Sequence, residues 1–183
     1  MKHKKRFIIP AGLVLCLIAA VLLVKGGVIY PLFYKSEIKA AAQKYQLEPE
    51  LVAAVVYTES KFIKTAASGA GALGLMQIMP DTGTWIAEKQ GRRDFNKNEL
   101  LDAETSLDMG CWYLKYLLNE FKGNTECCIA AYHAGQGAVK RWLGSGEYSS
   151  DGRSISVYPD DSPNTEYYVT KVFKAYDYYK KLF

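Results

Sequence analysis

Histidine and cysteine are scarce in this chain. Of 183 residues only two are histidine, His3 and His133, and four are cysteine. No spacing among them matches a zinc site, where several such side chains must converge on one ion. No metal and no other cofactor is expected. Cys16 lies in an apolar N-terminal run, which leaves Cys111, Cys127 and Cys128, an odd number. Along a helical hairpin Cys111 and Cys127 fall too far apart for a disulfide, and the adjacent pair could bond only with strain. All three read as small apolar core residues. Also missing is a serine-centred nucleophile elbow, so His133 has no triad to join. There is no internal repeat, and no run alternates long at period two. A sheet-based architecture is therefore not expected.

A basic face is absent from the body of the chain. The net charge is +4, yet Lys2, Lys4, Lys5, Arg6 and Lys25 stand in the first 25 residues with no acid among them. The remainder carries 18 bases against 19 acids. A near-neutral body argues against a nucleic-acid partner, which needs basic side chains on the folded part.

What is present at the N-terminus is a run of 18 residues without a charge, Phe7 to Val24. As a helix rising about 1.5 Å per residue it just spans a hydrocarbon core of about 30 Å. The cluster Lys2 to Arg6 before it predicts a cytoplasmic N-terminus and a body outside the membrane. The run exceeds the usual length of a cleavable signal core, and no small-x-small site follows it. A retained single-pass anchor over 7–24 is expected, with secretion after cleavage as the alternative.

Beyond the anchor, helical patterns dominate. Ser36 reads as the N-cap of a helix over Glu37–Gln46. Pro49 suits the first turn of a second helix, Glu50–Thr58, apolar on nearly every face and so expected at the centre. Ser68–Gly74 is too glycine-rich for a regular element. A short helix starts near Met79, and polar Gln90–Asn98 reads as a surface loop. Ser106–Phe121 and Thr125–Tyr132 are helices broken by Gly123-Asn124. Gly144–Ser156 reads as a mobile loop. The last helix, Tyr167–Phe183, carries an apolar stripe of Val169, Val172, Phe173, Tyr176 and Phe183. The fold class is mostly α.

Three local features could carry chemistry. Glu59 sits where the buried helix meets a loop, and burial would raise its pKa as a general acid needs. A glutamate there can also simply turn to solvent. Gly74 to Pro80 joins a glycine that admits close backbone approach to Gln77, whose amide both donates and accepts. Ala130 to Val139 sets Tyr132 and His133 before two glycines at a helix exit.

Taken together and in this order, residues 36–183 resemble the soluble lytic transglycosylase family of the goose-lysozyme-like superfamily. The E-S signature stands at Glu59-Ser60. The S-x-A-G-A-x-G-L-M-Q segment runs from Ser68 to Gln77 without a gap, and A-Y-N-A-G reads Ala131-Tyr132-His133-Ala134-Gly135. The resemblance implies a goose-type lysozyme-like domain over 36–183, after a basic tail (1–6), the anchor (7–24) and a linker (25–35). Its substrate would be peptidoglycan glycan strands, with Glu59 the single catalytic acid/base. Ser60 would belong to the substrate-binding set, Ser68 would hydrogen-bond Glu59 or the substrate, Gln77 and Met79 would line the sugar site, and Tyr132 would point its hydroxyl at the glutamate. Two positions depart from the pattern. His133 replaces an asparagine, and in the closing E-T-x-x-Y-V segment Asn164 replaces a carboxylate, while Tyr168 matches. His133, Asn164 and Tyr168 complete the expected substrate-binding set.

The implied reaction uses one carboxylate where ordinary glycosidases use two. Glu59 would protonate the oxygen between N-acetylmuramic acid and N-acetylglucosamine, then take the C6 hydroxyl proton as a 1,6-anhydro ring closes. Asp81, Asp102 and Asp108 remain open as second acids. Alternatives are a lysozyme-type hydrolase on the same fold and a non-catalytic wall-binding module. An anchored wall-lytic domain would also suit an envelope or secretion assembly, which needs local wall opening.

Overall fold

The stretch Leu47-Glu48-Pro49 ends one helix and starts the next. In the computed structural model, which describes residues 30–160 and 162–183, helix α1 is Lys35–Tyr45 and α2 is Pro49–Ser60. Pro49 occupies the first turn of α2, where a missing N–H costs no helical bond. The chain continues through α3 (Pro80–Lys89), a 3-10 turn (Lys97–Leu101), α4 (Ala103–Glu120), α5 (Thr125–Ala134), α6 (Gln136–Leu143) and α7 (Pro163–Tyr179). Among the described residues the only β-pairing is two isolated antiparallel bridges, Ala67 with Leu73 and Leu73 with Ile78. The expected basic tail, anchor and first part of the linker lie outside the described residues. Within them, no helix is long and apolar enough to cross a membrane.

Helix α2 is the centre of the domain. Leu51 to Val56 are all buried, as the lack of a polar face requires, and α2 packs most extensively against α7. Helix α7 begins at Pro163, four residues earlier than its pattern predicts, and ends at Tyr179. Its buried stripe is Thr165, Tyr168, Val172, Ala175 and Tyr179, spaced alternately three and four residues apart, with Val169 beside it. Phe173, Tyr176 and Phe183, expected in that stripe, are only half-buried. The aromatic residues alone misplace the face, because Thr165 and Ala175 help define it.

Other boundaries are set by side-chain caps. Asp102 accepts from Thr105 N–H at the start of α4, and Asn124 accepts from Cys127 N–H at the start of α5. Ser36 is not a cap: α1 starts after Tyr34, and the Ser36 hydroxyl donates to the Glu37 carboxylate at 2.7 Å. Helix α6 was masked in the sequence by Gly135 and Gly137, which read as a break. Gly135, at φ 86°, does end α5, but Val139 and Trp142 then bury a short new helix. The segment 144–156, expected to be mobile, is knitted together. The Asp151 carboxylate accepts from Arg153 N–H and Ser154 N–H, both at 2.8 Å, and Ile155 is buried. Cys111, Cys127 and Cys128 are buried and unbridged, as expected.

Candidate active site

Glu59 occupies the last turn of α2, and the chain leaves that helix by an unusual turn. Lys61 and Phe62 both adopt left-handed backbone, φ 54° and 64°, which non-glycine residues rarely do. Burial of Phe62 holds the turn: its ring lies against Tyr57 and Tyr179, with centroids 6.4 and 6.3 Å away. The turn releases the chain at the Glu59 carboxyl and feeds the glycine-rich loop 66–78.

That loop is clamped from several sides. Leu73 and Ile78 exchange both backbone hydrogen bonds at 3.0 Å, and Gly74 N–H donates to Ala66 O at 2.9 Å. Gly74 has φ 80°, and a Cβ there would lie 1.8 Å from the Leu100 carbonyl oxygen. Gly110 on α4 is needed for a related reason, since its missing side chain makes room for Met76.

Several residues expected to contact sugar are instead part of this clamp. Ser60 is buried, and its hydroxyl donates to Leu75 O at 2.8 Å, tying α2 to the loop. Ser68 is exposed and accepts from Ala72 N–H at 2.9 Å, closing a turn rather than reaching Glu59. The Gln77 amide donates to Ala66 O at 3.1 Å and Gly74 O at 2.9 Å, which occupies its donor side. Tyr132 does not point its hydroxyl at the glutamate; it donates to Met76 O at 2.8 Å. The Ser60, Gln77 and Tyr132 side chains donate to carbonyls of the loop, and the Ser68 hydroxyl accepts from one of its N–H groups.

The hydroxyl on the glutamate comes from Tyr168, which donates to Glu59 Oε1 at 2.5 Å. Its ring is stacked on His133, centroids 4.6 Å apart and planes 26° from parallel. His133 Nδ1 lies 3.1 Å from Thr165 Oγ1, on the buried face of α7. His133 at the family's asparagine position therefore works first as a platform for Tyr168. Asn164 is exposed in the first turn of α7, one turn before Tyr168, and Met79 stands on the rim at 42% exposure.

Burial is the main influence on Glu59 and raises its pKa to about 7. The Tyr168 hydroxyl, Lys171 and Lys61 oppose that rise by favouring the carboxylate. Burial also lowers the pKa of His133. The other acids left open by the sequence are engaged or remote. Asp102 caps α4, Asp108 pairs with Lys44 at 2.5 Å and accepts from Tyr45, and Asp81 is exposed on α3. A single carboxyl that exchanges its proton near neutrality can act both as acid and as base.

Beside the Glu59–Tyr168 pair is a cavity of about 220 Å³ lined by Gln77, Met79, Tyr113, Tyr132 and His133, among others. A larger hollow of about 660 Å³, between α1 and α4, contains none of the motif residues. Tyr113 and Thr165 are the site residues that sequence reading missed. Tyr113 sits in an aromatic run that reads as helix core. Thr165 belongs to the closing motif, where Asn164 and Tyr168 drew notice.

A family model described as "Transglycosylase SLT domain" matches residues 36–154. Over 158 residues the chain is 34% identical to the soluble lytic murein transglycosylase of Escherichia coli (strain K12), covering 84% of this chain and 24% of that protein. It is 29% identical over 167 residues to the membrane-bound lytic murein transglycosylase C of Serratia proteamaculans (strain 568), covering 81% of this chain and 47% of that one. The crystal structure of the 70-kDa soluble lytic transglycosylase from Escherichia coli matches with a TM-score of 0.73 at 29% identity, over 84% of this chain and 25% of that one. An inactive mutant of the lytic transglycosylase Slt from Pseudomonas aeruginosa matches at 0.71 and 27% identity, with the same coverage. The chain thus spans about a quarter of the length of these soluble relatives and about half of the membrane-bound one.

Proposed function

The chain belongs to the transglycosylase SLT domain family, and we propose that it is a peptidoglycan lytic transglycosylase acting in cell-wall remodelling. The reading has it cleave the β-1,4 bond between N-acetylmuramic acid and N-acetylglucosamine and leave a 1,6-anhydro-N-acetylmuramic acid end. The observation that supports it most is the lone carboxyl of Glu59, raised to about 7 and hydrogen-bonded by Tyr168, with no second acid beside it among the described residues.

In this mechanism Glu59 is protonated at the start and donates to the glycosidic oxygen as the bond breaks. The carboxylate so formed accepts the Tyr168 hydroxyl and lies near Lys171 and Lys61, all of which favour the charge. It then withdraws the proton of the C6 hydroxyl as that oxygen closes on C1, which restores the acid. In this reading Met79 and His133, which line the cavity, orient the sugars, exposed Asn164 meets them from the first turn of α7, and Gln77 and Tyr132 shape the wall.

A hydrolase on the same fold breaks the same bond with water. Mass spectrometry of products from purified protein on peptidoglycan separates the two, because an anhydro end is lighter than a reducing end by one water. Reducing ends alone would replace the transglycosylase reading with the muramidase one. Absence of any product would leave a wall-binding module.

The apolar run 7–24 is proposed as a retained anchor that holds this domain outside the membrane. Fractionation should find the protein in membranes with residues 36–183 accessible to external protease, and recovery of a shortened soluble form would show cleavage instead.

A further inference from the structure

Helix α4 carries Trp112, Tyr113 and Tyr116 on one side, with their rings almost parallel. Tyr116 is 7° from Trp112 and 9° from Tyr113, with centroids 5.6 and 6.3 Å away. Trp85 from α3 stands nearly perpendicular to all three, at 5.1 Å from Tyr116, 5.5 Å from Trp112 and 6.2 Å from Tyr113. All four are half-buried.

Helix packing accounts for the contact between these rings but not for their polar edges. Buried tryptophan and tyrosine normally find partners for their N–H and O–H groups. Among the described residues, the indole N–H of Trp85, that of Trp112 and the Tyr113 hydroxyl make no hydrogen bond within the protein, and none is sealed from solvent. Three donors are therefore open to water or to a bound ligand. Tyr116 is engaged differently: its hydroxyl donates to Gln136 Oε1 at 3.2 Å, which leaves the Gln136 amide N–H groups at the same edge.

The cluster is continuous with the candidate active site. Tyr113 lines the cavity next to Glu59, and its ring is 5.5 Å from that of Tyr132. From Tyr132 through Tyr113 and Tyr116 to Trp85 the ring-to-ring steps are 5.5, 6.3 and 5.1 Å, each comparable to one pyranose unit. Lys140 and Glu120, beside Tyr116, pair with each other at 2.7 Å and so offer no free charge of one sign. Aromatic rings and neutral donors together fit the pyranose rings of amino sugars, whose hydroxyl and acetamido groups are neutral.

We propose that Trp85, Trp112, Tyr113 and Tyr116 form a binding platform for pyranose rings of the glycan strand, beyond the sugars held at Glu59. The proposal rests on the cleavage reading above. The C–H faces of the sugars cover the aromatic rings, and their hydroxyl and acetamido oxygens accept the three idle donors.

The test uses the full chain carrying Glu59→Gln, so that glycan binds without being cut. Peptide-free peptidoglycan glycans are titrated while tryptophan emission is followed, with a disaccharide and an octasaccharide compared. Of the three tryptophans Trp142 is 7% exposed, so Trp85 and Trp112 supply the response. The octasaccharide should change the emission and bind more tightly than the disaccharide. Trp85→Ala should weaken octasaccharide binding roughly five- to tenfold, from about 50 Å² of indole surface no longer covered. Tyr113→Phe keeps the ring and loses one neutral donor, so it should weaken binding about two- to tenfold with an unchanged melting temperature. In the active enzyme Trp85→Ala should raise KM on long strands by a larger factor than on a tetrasaccharide. Equal octasaccharide affinity in folded Trp85→Ala and Tyr113→Phe proteins overturns the platform, even if the wild type cleaves peptidoglycan. Chain-length-dependent binding in a protein that cleaves nothing sustains the platform and defeats the cleavage reading instead.

Discussion

Tyr168 donates its hydroxyl to Oε1 of Glu59 across 2.5 Å, although the two residues are 109 positions apart in the chain. This contact joins the end of α2 to the middle of α7, the two helices that share the largest interface. Because the hydrogen bond favours the carboxylate, Tyr168→Phe should move the Glu59 pKa further above about 7. The alkaline limb of the pH–activity profile should then move to higher pH, and the step that needs the base should slow. An unchanged profile would mean that Tyr168 does not touch the working carboxyl.

Glu59→Gln should lower activity by about 10²- to 10⁴-fold, the usual range for a lost general acid. Its stability should change in the opposite direction, and by an amount that depends on pH. The folded protein binds the Glu59 proton up to about 7, whereas the unfolded chain releases it near 4.5. Wild-type stability attributable to this group is therefore highest below 4.5 and falls as pH rises to about 7. Glutamine removes that slope, so denaturation of the variant should match wild type near pH 4 and exceed it near pH 8. A loss of stability at pH 8 would show that the folded state favours the charged carboxylate.

Gly74→Ala should damage fold and activity together. A side chain at φ 80° is strained, and its Cβ would run into the Leu100 carbonyl. A cost of about 1–3 kcal/mol is expected from the backbone alone. At about 2–4 °C per kcal/mol for a protein of this size, melting should fall by several degrees. Calorimetry checks this; a melting temperature equal to wild type would show that the loop has another way to pass Leu100.

Ser60→Ala and Gln77→Ala test whether these residues build the loop or hold the sugar. Ser60→Ala removes one hydrogen bond to Leu75 O, a change of about 0.5–1.5 kcal/mol in stability. Gln77→Ala leaves Ala66 O and Gly74 O without their side-chain donor and should cost at least as much. Both variants should keep far more activity than Glu59→Gln. A large rise in KM with unchanged melting would return either residue to the sugar site.

Much of this arrangement was legible before any coordinates. Continuous apolar character from Leu51 to Val56 required a buried helix, and Glu59, in its last turn, had to stand where core meets surface. Pro49 and the glycines from Gly69 to Gly74 placed the starts and stops, because their backbone preferences act locally. The three cysteines beyond the apolar run 7–24 were likewise readable as unbridged core residues, from their spacing and from the small apolar character of the side chain. These inferences depend on a few neighbouring residues and hold whatever the rest of the chain does. The order of the motifs added the family and, through it, Glu59 as the acid.

What the tertiary structure decided is which polar group meets which. Tyr132 and Tyr168 both follow from the motifs, yet only the rotation of α5 and α7 about their axes sends Tyr132 to Met76 O and Tyr168 to Glu59. Ser60, beside Glu59, points the other way because successive helical residues face about 100° apart, and the loop carbonyl of Leu75 lies on its side. His133 gained its role from a ring stacked 4.6 Å away on another helix. The sequence alone determined a buried helix ending in a glutamate. The pKa of that glutamate, and the hydroxyl that holds it, exist only once helices distant in sequence exclude water from the same point.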